Sequence, residues 1–288
     1  MPAPGPCAGD AGLSSGRTHI SRVYKVVSTI RGLAIRTLIV IVAMAALAAC
    51  GGNKAPVLPA GNSAPDQFLF QRAQDAMMRQ RWLDARKYYQ QIVDNYPQST
   101  LRPDSKLGVG DSYLNEGGEA NIVLAENEFR EFLQFYPTNM RADYAQYKLA
   151  MTHYKRMRAP ERDQTETAAS VREFEAFFDR YPNSMLTPEV REKWREARSR
   201  LSEASYKVGF YYYRVKWWTG AIDRFKQVLR EDPAYPERDA VYYYLAESLL
   251  KADKKAEAVP YYDRLVKEFE RSEYLDDARR KLETLAAQ

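Results

Sequence analysis

AIDRFKQVLREDPAY, at residues 221–235, is the fourth of five copies of one sequence pattern. In this copy Ala221 lies four residues before Phe225, and Pro233 follows the aromatic residue by eight positions. The other copies read YYQQIVDNYPQS at 88–99, EFREFLQFYPTN at 128–139, EFEAFFDRYPNS at 173–184 and YYDRLVKEFERS at 261–272. In the last copy Glu270 stands where the other four have proline. This recurrence predicts a repeat array.

The spacing within each copy is that of an amphipathic helix with a defined end. A small residue and an aromatic residue four positions apart lie on one helix face, where the small residue allows close approach and the aromatic ring fills the groove. Proline cannot continue the helix and restricts the residue before it, so each helix is expected to stop just before its proline. This spacing resembles the second helix of a tetratricopeptide (TPR) repeat. The first helices are predicted upstream, at 66–80, 102–115, 141–157, 188–214 and 237–251.

We therefore predict an all-α fold, a TPR-like superhelix of about five helix pairs over residues 66–288. The expected repeats span 66–100, 101–140, 141–187, 188–236 and 237–272, and a C-terminal helix follows them. Three features lengthen the array beyond the usual TPR period: the segment GGEANIV at 117–123, the insert RAPERDQTET at 158–167 and the long helical run at 188–214. No alternating apolar and polar pattern long enough for a strand occurs in the sequence.

The first 49 residues have the features of a secretion signal. They hold five basic residues and one acidic residue, and the apolar stretch LIVIVAMAALAA at 38–49 is too short to span a membrane. We predict a signal peptide over 1–49, with a start codon placed too far upstream, because residues 1–16 are atypical of a leader. The sequence LAAC at 47–50 resembles the lipobox of bacterial lipoproteins, in which the cysteine becomes lipidated and then N-terminal.

The lipobox predicts an anchored protein with a flexible tether. Cys50 is the predicted lipidation site, and residues 50–65 are rich in Gly, Pro and Ala without a helical period, as expected for a linker. Gly51 stands where inner-membrane lipoproteins of enterobacteria have aspartate, which favours the outer membrane. A plain secretory signal with a chance cysteine is the alternative.

Composition argues against several classes of function. The chain has 288 residues and a formal net charge of +5, but after residue 49 the 38 basic and 37 acidic residues nearly cancel. A protein that binds nucleic acid needs a surface with a net positive charge, so nucleic acid is not expected as a partner. After Cys50 there is no cysteine and only one histidine, His153, so neither a zinc site nor a Cys–His or Ser–His nucleophile is expected. We predict no metal, no cofactor and no catalytic residue; an envelope hydrolase with paired carboxylates is the enzymatic alternative.

The order of these features resembles one family more closely than TPR proteins in general. The segments that carry the resemblance are ADYAQYKLAMTHY at 142–154, RDQT at 162–165 and RLSEASYKVGFYYYRVKWWTGAIDRFKQVLREDP at 200–233. Together with the lipobox and the tether, they resemble the BamD family, the TPR lipoproteins of the outer-membrane β-barrel assembly machinery, or BAM complex.

This resemblance implies a non-enzymatic scaffold or adaptor in the assembly and insertion of β-barrel proteins into the cell outer membrane. Such a lipoprotein is anchored at the periplasmic face. The implied partners are a POTRA-containing, BamA-like β-barrel insertase, bound by the C-terminal repeats, and unfolded outer-membrane proteins, received by the N-terminal repeats. Other assembly lipoproteins are further implied partners. The alternative is another TPR adaptor lipoprotein of the envelope, either a pilotin-like factor for secretin assembly or a cell-wall coordination factor.

Two residues are predicted to contact the insertase. Arg224 matches, by its position in the second helix of the fourth repeat, a family arginine that pairs with an acidic residue of the insertase. It also lies about 100° from the buried stripe that holds Phe225, so partial exposure is expected. Trp217 is a surface candidate because it has no counterpart in the first repeat, whereas Trp82 and Trp218 share one position. The alternative for Arg224 is an intrahelical pair. Tyrosines cluster at 88–89, 211–213, 242–244 and 261–262. Such clusters could line a groove for peptide side chains, but core packing between helices is favoured.

Overall fold

The computed structural model describes residues 64–287, and every regular element in that range is an α-helix. The eleven helices of this range are α1 (Pro65–Met78), α2 (Trp82–Asn95), α3 (Arg102–Glu116), α4 (Glu119–Phe135), α5 (Ala142–Lys155), α6 (Thr165–Arg180), α7 (Thr187–Arg214), α8 (Trp218–Glu231), α9 (Arg238–Lys251), α10 (Lys255–Glu268) and α11 (Leu275–Ala286). None of these helices is both long and apolar enough to cross a membrane. The predicted signal peptide, Cys50 and nearly all of the tether lie outside the described residues.

The helices form five successive pairs, and α11 packs on the last of them. The prediction of an all-α fold built from TPR-like helix pairs is therefore confirmed. Each first helix begins within one residue of its expected start. The second helices α2, α4, α6 and α8 end two residues before their prolines. The residue between helix and proline has left the helical region, as Tyr96 shows with φ −125° and ψ 66°, because proline disfavours the α conformation before it.

The last pair shows that proline is not the only reason for this stop. Helix α10 ends at Glu268, the equivalent position, although Glu270 replaces the proline. Phe269 has nearly the same backbone conformation as Tyr96, with φ −133° and ψ 71°. Its ring centroid lies 6.1 Å from that of Tyr242. We attribute the stop here to the packing of this ring against the core.

The repeat aromatics form the core between the helices of each pair. All five are buried, and so are the small residues four positions before them: Tyr89, Phe129, Phe174, Phe225 and Tyr262, with Ala85, Ala125, Ser170, Ala221 and Ala258. Two of the rings press against a glycine in the first helix of their own pair. A Cβ at Gly110 would stand 2.8 Å from Phe129, and a Cβ at Gly209 would stand 2.9 Å from Phe225. Glycine is required at both positions because no side chain fits between ring and backbone.

A serine after the second helix ties the two ends of a pair together. Ser99 Oγ donates to Asp66 at 2.6 Å, and Ser184 Oγ donates to Asp143 at the same distance. The fifth pair contains the same bond. Each first helix therefore begins beside the turn that leads to the next pair. We call this side of the array the inter-repeat edge, and the side that holds the turns within the pairs the intra-repeat edge.

Helix α7 joins two blocks of the array. It has 28 residues, twice the 14 residues of α8. Its first half packs on α6, where the ring centroid of Trp194 lies 5.9 Å from that of Phe178. Its second half packs on α8, where Ser202 Oγ donates to Asp232 at 2.9 Å. Ser202 lies about 22 Å along α7 from the start of that helix. The inter-repeat edge of the fourth pair is therefore displaced by about 22 Å along the axis of α7 relative to that of the third pair. We call residues 64–200 the N-terminal block and 201–287 the C-terminal block.

Candidate partner-binding site

The insert between α5 and α6 folds into a compact loop through its own side chains. Gln164 Nε2 donates to the carbonyl oxygen of Ala159 at 2.8 Å and to that of Arg162 at 2.9 Å. The carboxylate of Asp163 accepts from the hydroxyl of Thr165 at 2.9 Å, where α6 begins. The motif RDQT thus supplies a loop closure and a helix start, and it leaves the side chain of Arg162 exposed.

This loop lies against the second half of α7. Glu161 forms an ion pair with Lys207, and Lys207 also pairs with Glu203, one turn earlier on α7, at 2.8 Å. The hydrogen bond from Lys207 holds the pKa of Glu161 below its ordinary value of 4.5, and the same bond raises the pKa of Lys207. Both groups are solvent-exposed, so the pair orients the loop and contributes little to stability.

A groove of about 660 Å³ separates this loop from α8, with α7 between them. Its floor is apolar and its rim carries polar and charged groups, the arrangement that protein-binding and ligand-binding clefts share. The apolar lining residues are Pro160, Leu201, Ala204, Val208, Tyr211 and Tyr212. The polar and charged lining residues are Glu161, Arg162, Gln164, Ser205, Lys207 and Arg224.

Arg224 forms the α8 side of the groove. It is half-buried, as expected for a residue about 100° from the core stripe. Its Nη1 donates to Oε1 of Gln227 at 3.0 Å, and Gln227 in turn donates to Glu231 at 2.9 Å. Among residues 64–287 no carboxylate lies within ion-pair distance of this guanidinium. Most of its five N–H donors are therefore available for an incoming acidic group.

Trp217 lies beside the groove, at the turn between α7 and α8. Its side chain is 53% exposed. The ring centroid lies 4.4 Å from that of Tyr212, which lines the groove. The ring also covers Gly220, where a Cβ would stand 2.8 Å from it. Trp217 continues the groove floor onto the surface together with Tyr211 and Val215, which are 61% and 52% exposed.

A family model described as an outer membrane lipoprotein, named YfiO, matches residues 62–258. The matched range includes the insert, α7, α8 and thus the whole groove. The chain belongs to this family. The resemblance to the BamD family that the sequence indicated is confirmed by curated relatives. An outer membrane protein assembly factor BamD from Caulobacter vibrioides is 24% identical over 223 residues, 77% of this chain and 72% of that protein. The outer membrane protein assembly factor BamD from Vibrio cholerae is 23% identical over 215 residues, 71% of this chain and 85% of that protein.

The chain is also similar to solved structures of TPR proteins. The TPR2AB domain of yeast Sti1 is 11% identical, with a TM-score of 0.43 over 76% of this chain and 82% of that one. A thermophilic TPR protein from Thermus thermophilus is 14% identical, with a TM-score of 0.34; the match covers 77% of this chain and 100% of that one.

The structure of this family member brings Arg224 and Trp217 to one surface, whereas Cys50 lies outside the described residues. Whether the two residues bind a partner stays a prediction. Sequence reasoning missed Pro160 and considered Tyr211 only as part of a cluster; both residues complete the groove. A signal for Tyr211 was present, because three consecutive tyrosines on a helix are about 100° apart and cannot all face the core.

His153 has a structural environment. It is buried, and its Nδ1 lies 2.8 Å from the carboxylate of Glu166 on α6, to which an Nδ1–H would donate. Arg156 pairs with both Glu166, at 3.1 Å, and Glu126, at 2.5 Å. This network joins α4, α5 and α6. Within residues 64–287 no group of three or more His, Cys, Asp or Glu side chains is placed to hold a metal ion.

Proposed function

We propose that this chain is a non-enzymatic scaffold in the assembly and insertion of β-barrel proteins into the outer membrane. Family membership and the names of its relatives, outer membrane protein assembly factors, support this role. The same names favour it over a pilotin-like or cell-wall coordination factor. An extended array of helix pairs suits a scaffold because its surface is large and its stability does not depend on a bound cofactor.

We propose that acyl chains on Cys50 anchor the protein at the periplasmic face of the outer membrane. Each buried CH₂ group contributes about 0.8 kcal/mol, so several chains together hold a protein firmly. The replacement Cys50→Ala should therefore leave the protein in the periplasm or uncleaved at the inner membrane. Fractionation of salt-washed membranes checks this. Unchanged recovery of the variant with the outer membrane would contradict the lipid anchor.

The groove is proposed to receive a periplasmic POTRA domain of the β-barrel insertase. The observation that carries this proposal is the guanidinium of Arg224, which borders an apolar groove without a carboxylate partner of its own in residues 64–287. A carboxylate on the partner would complete its hydrogen bonds, and Trp217 would extend the apolar contact. Unfolded outer-membrane proteins are proposed to bind the N-terminal block, and other assembly lipoproteins are further proposed partners.

Affinity purification from detergent-solubilised envelopes tests the partner. The wild-type chain should retain a POTRA-containing barrel protein. The Arg224→Glu variant should retain at least about tenfold less of this barrel protein, because like charges then meet in the interface. Arg230→Glu is the matched control, since Arg230 lies on the same helix, is 70% exposed and does not line the groove. Equal retention by both variants would contradict the role of Arg224, and absence of any barrel protein from the wild-type eluate would contradict the function.

A further inference from the structure

Large apolar side chains are exposed on the inter-repeat edge of the N-terminal block. Met140 and Met185 are 91% and 96% exposed, and Phe135 is 64% exposed. The two methionines occupy equivalent positions, three residues after the prolines that follow α4 and α6. Single exposed apolar residues are common on protein surfaces, but repetition at equivalent turns on one edge indicates a contact surface.

The chain enters the fold at this same edge. Pro65 is the first residue of α1, and the bond between Asp66 and Ser99 places it beside the turn after α2. Fourteen residues, 51–64, separate Cys50 from α1. A chain of fourteen residues spans at most about 48 Å. Met140 follows α4 and Met185 follows α6, so both turns lie on the edge where the chain enters the fold.

An arginine accompanies each exposed methionine. Arg141 follows Met140 directly, is 44% exposed and lies 3.3 Å from Asp104. Arg191 lines one shallow depression together with Met185, and its guanidinium lies 5.9 Å from the ring centroid of Phe178. An apolar side chain beside a cationic one matches a phospholipid surface, because acyl chains accept the first and phosphate groups attract the second.

The opposite, intra-repeat edge carries the groove. Trp217 and Val215 lie at the far end of α7 from Thr187, and α7 is about 42 Å long. A membrane on the inter-repeat edge of the N-terminal block therefore leaves the groove free for a partner in the aqueous phase. Contact through the intra-repeat edge would instead cover Trp217 and turn Pro65 away from the anchor.

We propose that the inter-repeat edge of the N-terminal block lies on the phospholipid surface to which the chain is anchored, with Met140 and Met185 placed among the headgroups. This inference rests on the proposed lipid anchor at Cys50. It gives the scaffold a fixed orientation, since one lipid attachment alone would let the array pivot about its tether. It also sets the groove, at the level of Lys207, about 30 Å from the membrane surface.

Site-specific fluorescence in vesicles tests the orientation. The lipidated chain that begins at Cys50 is reconstituted into vesicles of phosphatidylethanolamine and phosphatidylglycerol. Cysteine is introduced singly by Met78→Cys, Met140→Cys or Met185→Cys and labelled with an environment-sensitive dye. No other free thiol competes, because the sequence after Cys50 has no cysteine. Spin-labelled lipids should quench the labels at 140 and 185 at least about threefold more than the label at 78.

Met78 is the matched control. It is a methionine with 76% exposure, and it lies at the end of α1 on the intra-repeat edge. Residue 78 is only 13 positions from Pro65, whereas residue 185 is 120 positions away. Mere closeness to the tether along the chain would therefore favour quenching at 78, and only the proposed edge contact favours 185.

Flotation of the same vesicles separates this inference from the anchor. If the protein floats with the vesicles but all three labels are quenched equally, or the label at 78 is quenched most, the edge contact is overturned and the anchor is not. Protein that fails to float overturns the anchor and the edge contact together. The labels at 140 and 185 are also measured in detergent solution without vesicles. If they are shielded from water there as much as on vesicles, the lipid contact is overturned, because a second copy or another protein then covers the edge.

Discussion

The two blocks use tyrosine in different ways to join successive first helices. In the N-terminal block the joints are hydrogen bonds to carboxylates. The Tyr144 hydroxyl on α5 donates to both oxygens of Asp111 on α3, at 3.0 and 2.9 Å. The Tyr147 hydroxyl donates to Glu189 on α7 at 2.7 Å. Burial raises the pKa of Asp111, and Lys148 and the Tyr144 hydroxyl oppose that rise.

In the C-terminal block the corresponding joints are contacts between rings. The ring centroid of Tyr244 on α9 lies 4.9 Å from Phe210 and 5.1 Å from Tyr213, both on α7. Tyr243 stacks on Tyr274 at 4.7 Å, which ties α9 to the start of α11. Burial raises the pKa of Tyr243 to about 12, with the charge of Glu247 as the next cause.

This difference teaches that one residue type can make two kinds of joint. A hydroxyl–carboxylate bond requires a donor and an acceptor at one distance, so it specifies how two helices are placed along their axes. A ring cluster depends on apolar area and tolerates small shifts. The joints between first helices should therefore be sensitive to the loss of single hydroxyls in the N-terminal block, and to the loss of rings in the C-terminal block.

The largest effects are expected from removing a core ring in either block. Phe129→Ala and Phe225→Ala should each lower the free energy of unfolding by about 3–5 kcal/mol, because each leaves a cavity between helices. Urea denaturation measures the loss. Hydrogen exchange then shows where it acts, and Phe225→Ala should weaken protection in α8 to α11 and leave α1 to α5 protected. Equal loss of protection along the whole array would show that the blocks are one cooperative unit.

Overpacking at the helix crossings should have a smaller effect. Ala125 and Ala221 are fully buried, and leucine at either position adds three carbons where no space exists. Ala125→Leu and Ala221→Leu should each destabilise the protein by about 1–3 kcal/mol. Thermal melts measure this. Ala120→Leu is the control, because Ala120 is exposed on α4. A melt of Ala221→Leu that matches wild type would mean that this crossing is wrongly placed.

The smallest effects are expected from the loss of single hydroxyls, and they should differ between the two blocks. Tyr144→Phe should cost about 1–3 kcal/mol because Asp111, whose side chain is 16% exposed, loses its hydroxyl donor. Tyr213→Phe keeps its ring contacts and should stay within about 0.5 kcal/mol of wild type. Denaturant midpoints measure both. The double variant Tyr144→Phe with Asp111→Asn should recover part of the loss, since the carboxylate that lost its hydroxyl donor is then gone. Equal effects of the two single variants would remove the distinction between the blocks.

Much of the fold could be predicted from local sequence because the helices are set by local rules. The ends of α2, α4, α6 and α8 follow from proline, and the five buried aromatics follow from their spacing. The end of α10 required more, since Phe269 stops that helix through a contact with Tyr242 on another helix. Partial exposure of Arg224 followed from its angle to the core stripe, but its bond to Gln227 did not.

The sequence by itself determined the number of helices, their apolar faces and the family, because each depends on residues within one or two turns of each other. The tertiary structure alone decided the groove. Its walls come from Pro160 in the insert, Tyr211 on α7 and Arg224 on α8. They meet because α7 is long enough to step the C-terminal block along its axis and because Glu161 reaches Lys207, 46 residues away. Helix periodicity carries no information about such distances between elements, so only packing could place these residues together.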